Sequence, residues 1–322
     1  MNFSLSIQQN VGFGTVVDVG YSGSLGRHLM WQRNLNAIPF GANFDPRNMD
    51  PTVARTPLPQ AFLRPMIGYT NINFREWASS SNYHALQVNA TRRLSGGLQF
   101  GAAWTWSKAL NFNDDDTANV STLVPVRIWN YGLASFDRTH VLKINWLWDA
   151  PSTPWKRGAA DRILNHWQIS GIASFVSGAP LGVGFSTVTA VDITGSPTDG
   201  ARIDVTGNPV LPKSERTFSR NFRTEVFRLP AVGTIGTSAR TVIRGPGMNN
   251  WDIAVLKNIP VRERVRFQFR AEFYNAFNHT QFSALDTTAR FDATGKQVNA
   301  RFGEFTAARN PRQIQLSLRM YF

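Results

Sequence analysis

Apolar and polar residues alternate one by one along many stretches of this chain, the period-two signature of strands whose two faces see different surroundings. The amino-terminal residues set Phe3, Leu5 and Ile7 against Asn2, Ser4, Ser6 and Gln8, and from Gly14 to Ser22 Val17, Val19 and Tyr21 alternate with Val16, Asp18 and Gly20. From Tyr83 to Arg93, Leu86, Val88 and Ala90 oppose Gln87, Asn89 and Thr91; from Gly97 to Ser107, Leu98, Phe100, Ala102, Trp104 and Trp106 oppose Gln99, Gly101, Ala103 and Thr105. Val141 to Ala150 repeats the pattern with Leu142, Ile144, Trp146 and Trp148, while His166 to Ser177 is more mixed. Trp251 to Ile259 carries Trp251, Ile253 and Val255 on one side, where Lys257 interrupts. Arg264 to Asn275 sets Val265, Phe267, Phe269, Ala271 and Phe273 against Arg266, Gln268, Arg270 and Glu272. The chain closes on Ile314, Leu316, Leu318 and Met320 alternating with Gln313, Gln315, Ser317, Arg319 and Tyr321, and stops at Phe322.

These runs exceed the strand length of about 5–6 residues common in globular sheets. The last is long enough to cross a bilayer when tilted, for which about 9–11 residues suffice. Roughly ten strands are expected, with Arg202–Val205 and Thr241–Arg244 as short, ambiguous additions. The links alternate in length. Short turns at Asn10–Phe13, Leu94–Gly97 and Pro260–Glu263, and a medium link at Pro151–Asn165, separate long excursions at Gly23–Asn82, Lys108–Arg138, Gly178–Asn250 and Ala276–Pro311. Counted back from Phe322, every short turn falls on the same side. Membrane barrels segregate link lengths in this way, with short turns inside and long loops outside, whereas a soluble sandwich has no physical reason to do so.

Composition narrows the field. No apolar run reaches 18 residues, so a transmembrane helix is excluded. The mean hydropathy of −0.23 is compatible with a membrane barrel, whose lumen-facing residues dilute the average. Cysteine is absent, which rules out disulfide frameworks, thiolate chemistry and cysteine-based zinc sites. A net charge of +13 raises nucleic acid as a partner. The basic residues are scattered rather than blocked, however, and Arg264, Arg266 and Arg270 share one strand face with Gln268. That distribution fits a basic lumen lining, or loop charge facing anionic lipid headgroups, and no nucleic-acid partner is expected.

Candidate chemistry is sparse. The histidines (His28, His84, His140, His166, His279) do not fall at metal-ligand spacing. Asp137 and His140 could form an acid–base pair, but they sit where a loop re-enters a strand, and a structural hydrogen bond is the better reading. Asp114–Asp116 lacks the glycine-containing ligand loop of a calcium site and reads as a solvated loop tip. Arg244-Gly-Pro-Gly247 lacks the helix and lysine of a phosphate-binding loop and reads as a turn before the strand at Trp251. No catalytic residue, metal or cofactor is expected. Trp104, Trp106, Trp146, Trp148 and Trp251 lie within or at the ends of strands, where barrels place aromatic girdles at the two membrane interfaces. In a soluble fold the same rings would be core, or a platform for sugar stacking.

Several segments resemble the carboxy-terminal barrel of TonB-dependent transporters, in order and at similar spacing. They are GYSGSLGRHL (20–29), SSNYHALQVNATRRLSGGLQFGAAWTWSKAL (80–110), FDRTHVLKINWLWDAP (136–151), WQISGIASFVSGAPL (167–181), RGPGMNNWDIAVLKNIPV (244–261), FQFRAEFYNAFNHTQF (267–282) and NPRQIQLSLRMYF (310–322). They are most similar to the Oar-like group with carboxypeptidase-regulatory-like amino-terminal domains, abundant in Acidobacteria. The resemblance implies an all-β, antiparallel transmembrane barrel in the outer membrane of a Gram-negative bacterium, of about 22 strands around a plug in its full form. Residues 1–322 would be the carboxy-terminal part of that barrel, without plug or export signal, since Met1–Gln9 opens directly in a strand with no leader pattern. Ile314, Leu316, Leu318, Met320 and Phe322 would form the terminal signal read by the barrel assembly machinery. Arg266, Gln268, Arg270 and Glu272 would face the lumen. The implied partners are outer-membrane lipid and lipopolysaccharide, an unknown substrate taken at the long loops, and the TonB complex through a plug this chain lacks. Two alternatives stay open from the residues alone: a complete small barrel serving as pore, adhesin or outer-membrane enzyme, and a soluble β-sandwich binding carbohydrate.

Overall fold

The computed structural model describes residues 1–122, 124–155, 158–262 and 265–322. Nine long strands follow one another in chain order across a single antiparallel sheet. They are β1 (Asn2–Gly12), β2 (Thr15–Asn34), β3 (Asn73–Ser95), β4 (Leu98–Asn111), β5 (His140–Asp149), β6 (Trp167–Val176), β7 (Met248–Arg262), β8 (Val265–Tyr274) and β9 (Gln313–Tyr321). The two-residue strand Gly132–Leu133 adds to the outer end of β4, making ten. Among the described residues β1 pairs only with β2 and β9 only with β8, so the sheet is open at both edges.

Two of the tight turns are set by backbone sterics. Gly96 and Gly97 join β3 to β4 with φ of 60° and 78°, and Phe13 and Gly14 join β1 to β2 with φ of 52° and 69°. Positive φ at both central residues is the two-residue hairpin geometry whose twist matches that of the flanking strands. Gly97 has a second constraint, because an added Cβ would lie 2.7 Å from the carbonyl oxygen of Asp149.

Several sequence-based boundaries need correction. The expected loop Gly23–Asn82 is strand at both ends: β2 and β3 stay paired out to Asn34 opposite Asn73. Register shifts between Gly26 and Trp31, with His28 at φ 54°, break the alternation there. His166 lies outside β6 at φ 64°. Pro260 and Val261 belong to β7, which carries a bulge between Pro260 and Arg262. Glu263 and Arg264, placed above at the turn and the start of a strand, lie outside the described residues. The two ambiguous short strands exist but stand apart from the large sheet: Asp204–Val205 pairs Phe227–Arg228, and Ile243–Arg244 pairs Pro180–Leu181.

The largest buried apolar cluster is not on the sheet. It lies in the long links, where Val183, Ile203, Phe222, Phe227 and Ile243 of residues 177–247 meet Ala289, Phe291 and Phe302 of residues 275–312. Phe222, Phe227 and Phe302 pack edge to face with centroids 5.1–5.8 Å apart, a favoured aromatic arrangement. The long links therefore fold into a cap with its own core.

Candidate membrane face, lumen face and outer cap

The pairing registers sort the side chains of the whole sheet into two faces. One row runs Ile7, Val19, Val88, Trp104, Leu142 and Phe175 across six strands. Another runs Leu98, Trp148, Ile169, Val255, Ala271 and Leu316. Between them the opposite face carries rows such as Gln99, Leu147, Ser170, Ala254, Glu272 and Gln315. Because side chains alternate strictly along a strand, a one-residue slip at any of these pairings would mix the two sets. None mixes them.

Over Leu5, Leu316 and Leu318 no second layer covers the apolar face among the described residues: Leu5 is 72% exposed, Leu316 64% and Leu318 65%, and Phe100, Phe267 and Phe269 are partly exposed; links reach this face only at its ends, at Trp251 and at Lys257. The polar face is lined by small residues, and Ala85, Ala254 and Leu256 on it are buried. A cavity of about 440 Å³ opens along it against Asn145, Ser170, Asp252, Arg270 and Glu272.

The residues singled out from sequence fall as follows. Arg266, Gln268, Arg270 and Glu272 all lie on the polar face, opposite Tyr321, Arg319, Ser317 and Gln315 of β9. Arg270 pairs with Glu272 at 2.5 Å, Gln268 donates to Asn258 at 3.1 Å, and the Arg266 guanidinium sits 4.6 Å from the Tyr321 ring centre. Ile314, Leu316, Leu318 and Met320 lie on the apolar face opposite Phe273, Ala271, Phe269 and Phe267, with Phe322 exposed beyond the strand. Trp106 stands opposite His140 at the long-link end of the apolar face, and Trp148 opposite Leu98 at the short-turn end. The β5 run from His140 to Trp148 spans roughly 27 Å at about 3.4 Å per residue. Trp104 and Trp146 lie between them, and Trp251 packs edge-on to Trp146, Phe175 and Phe277 at 5.7–5.8 Å.

Lys257, the interruption in the apolar face, has a local cause. It is only 5% exposed, with its ammonium 4.7 Å from the Trp167 ring centre. It donates to the carbonyl oxygens of Ile163 at 3.0 Å and of Asn165. These close the carboxy-terminal end of the helix Gly158–Leu164 in the β5–β6 link, where free carbonyls favour a cation. Sequence periodicity could not signal this partner, since it is supplied by a different link.

The cap is tied together by polar contacts between links. Ser196 donates to the carbonyl of Ile38 at 2.5 Å, and the Ile38 N–H donates to Thr198. Asp199 accepts from Thr122, Arg202 lies 4.0 Å from the Trp129 ring centre, and Thr288–Phe291 pairs in parallel with Gly184–Thr187. Arg240 binds Asp114 at 2.6 Å and Asn111 Oδ1 at 2.8 Å. Asp114 is therefore a clasp, while Asp115 and Asp116 are exposed at the loop tip as the sequence suggested. Burial pushes the Asp114 carboxyl up, yet hydrogen bonds from Asn111 and Ser135 and the Arg240 guanidinium outweigh this and hold it below the usual carboxylate range. Asp137 is buried and accepts from the Ala109 N–H at 2.7 Å and from Arg244 at 2.7 Å. Asp137 thus makes structural hydrogen bonds, the reading preferred from sequence, but with these partners and not with His140, which stacks on Trp104 with centroids 5.9 Å apart. Residues 244–247 do lead into a strand, β7, which begins at Met248 rather than Trp251.

Residues 1–315 match the family described as outer membrane beta barrel domain. The chain belongs to that family. The match fits an open antiparallel sheet with one continuous apolar face, and it places this outer membrane beta barrel domain in the outer membrane of a Gram-negative bacterium. Among solved structures the chain is similar to the outer membrane transporter YddB from Escherichia coli, at 7% identity and a TM-score of 0.48, over 99% of this chain and 32% of that one. It is also similar to the ferric-catecholate import receptor Fiu from E. coli K12, at 10% identity and a TM-score of 0.35, over 100% of this chain and 35% of that one. The chain thus spans about a third of each. No curated protein matches it in sequence.

Proposed function

We propose that this barrel domain is a segment of wall, with its outer loop cap, of a TonB-dependent transporter of the Oar-like group. The observation that carries the reading is the open sheet with one apolar and one polar face. In lipid, unpaired backbone groups cost several kcal/mol each, so strands β1 and β9 need neighbours that further strands of a larger barrel would supply. A small closed barrel would require β1 bonded to β9, and a soluble sandwich would require a second layer over Leu5, Leu316 and Leu318.

In this reading the apolar face meets lipid, with Trp106 and Trp148 nearest the two interfaces, Trp104 and Trp146 one step inside them, and Trp251 in the register row of Ile144. Arg266, Gln268, Arg270 and Glu272 line the lumen. The links 35–72, 112–139 and 177–247 form the outer surface that substrate meets first. Uptake would be driven through a plug contacting the TonB complex. The ordered segments resembling such transporters support the assignment, as does the alternation of short and long links. Two measurements test it. An in-frame plug-encoding region upstream of Met1 is expected, and an in-frame stop codon there would overturn the assignment. Deleting residues 35–72 or 177–247 from the intact protein should abolish substrate binding, and unchanged binding would refute the role of the cap.

A further inference from the structure

The largest cavity among those described, about 950 Å³, lies at the long-link end of β5–β7, lined from the strands by Trp104, His140, Leu142, Phe175 and Asn249 of the apolar face and, at the strand ends, by Val176 and Met248 of the opposite parity. Its floor includes Trp104, Leu142 and Phe175, neighbours in one register row of the apolar face. Its outer wall is a segment of the cap that carries the exposed Lys213 and Arg216 and shares the lining with the stacked rings of Phe282 and Phe305, 4.0 Å apart. Among the described residues Arg216 keeps its terminal nitrogens free while its Nε donates to the Leu211 carbonyl at 3.1 Å. Three cations, Lys213, Arg216 and Arg244, and two histidines line it, with no aspartate or glutamate among the described lining residues. The lumen-side cavity, by contrast, mixes Asp252 and Glu272 with Arg270.

An apolar floor under a basic rim is the chemistry of a site for an acylated anion. Strand parity decides the direction of approach. The side chains of Trp104, Leu142 and Phe175 point away from the lumen, so an occupant reaches them from the side where Ile144 and Trp146 continue the same face. We infer that this cavity holds the phosphorylated headgroup and upper acyl chains of an outer-leaflet lipid. The inference rests on the proposal that the apolar face meets lipid. Lys213 and Arg216 are placed to bind phosphate by charge-assisted hydrogen bonds, and the aromatic and aliphatic floor to cover the chains. Arg244 contributes less, because its guanidinium is held by Asp137 at 2.7 Å.

The test uses the intact protein that contains this chain, in detergent micelles, with native mass spectrometry reading retention of bis-phosphorylated lipid A, of the same lipid without phosphates, and of lipid A in competition with inorganic pyrophosphate. Retention of the phosphorylated lipid should exceed that of the phosphate-free form, and Lys213→Glu with Arg216→Glu should weaken it by about tenfold or more, since two charge-assisted contacts are lost. Phe175→Ala should weaken both lipids together. Equal retention of the two lipids, or an unchanged double variant with a wild-type circular dichroism spectrum, would overturn the site. Displacement by pyrophosphate alone would reassign it to a free anion and likewise overturn the lipid reading. Flotation of the same intact protein with phospholipid vesicles separates this failure from that of the parent proposal: an intact protein that does not float contradicts the lipid-facing assignment itself.

Discussion

Replacing Ile144 by Arg tests the assignment of the two faces at the point where it should cost most. Ile144 lies midway along β5 between the levels of Trp106 and Trp148, on the apolar face, flanked by Ala102 and Ala173. With small neighbours on both sides, the guanidinium has no carboxylate to meet and must be solvated by hydrocarbon or snorkel toward an interface. Charged substitutions on the lipid face of a barrel cost about 2–4 kcal/mol at mid-depth and about 0–1 near the interfaces. At about 1.4 kcal/mol per factor of ten, Ile144→Arg should shift the unfolding equilibrium roughly 30- to 700-fold. Trp148→Arg, near one interface, should lose far less to depth, and Asn145→Arg on the polar face should be almost neutral. The assay is urea unfolding of the protein reconstituted in phospholipid vesicles, followed by tryptophan fluorescence. Equal costs for Ile144→Arg and Asn145→Arg would refute the division into faces, and a larger cost at Asn145 would invert it.

Lys257→Met should fray the helix Gly158–Leu164, because the carbonyls of Ile163 and Asn165 lose their donor; a loss of about 1–2 kcal/mol should appear as faster amide exchange in the helix with the sheet unchanged. Gly97→Ala should cost more than Gly96→Ala in urea midpoint, since both demand positive φ but only Gly97 places the new methyl 2.7 Å from a backbone oxygen. Asp114 has a folded-state pKa below its ordinary value of 3.8, so its stabilising contribution is complete above that pH and is lost as pH falls below it. The stability gap between wild type and Asp114→Asn should therefore be constant near neutrality and close on acidification below 3.8.

The membrane-height part of the sheet was legible in sequence because one face is apolar and the other polar, which makes strand parity visible in residues such as Leu98 to Trp106. The outward extensions of β2 and β3 were not legible. From Leu25 to Asn34 and from Asn73 to Asn82 the hairpin stands beyond the apolar band, both faces carry polar residues, and bulges break the period. The cap was hidden for a different reason. Ile203, Phe222 and Phe291 come together from links far apart in the chain, with no periodicity to announce them. Asp137, Arg244, Asp114 and Arg240 likewise acquire their partners only through the packing of one link on another. Of the candidate site, the two faces were readable, while the basic cavity over Trp104 and Phe175 required the fold.

The central claim, that the apolar face of this one sheet lies against lipid, can be measured directly because the chain has no cysteine and each introduced thiol is unique. Nitroxide labels placed singly from Val141 to Asp149 in vesicles, with accessibility to oxygen and to a water-soluble nickel chelate, would read β5 residue by residue. Oxygen accessibility should peak at 142, 144, 146 and 148 and nickel accessibility at 143, 145, 147 and 149. A flat profile, or the opposite phase, would contradict it.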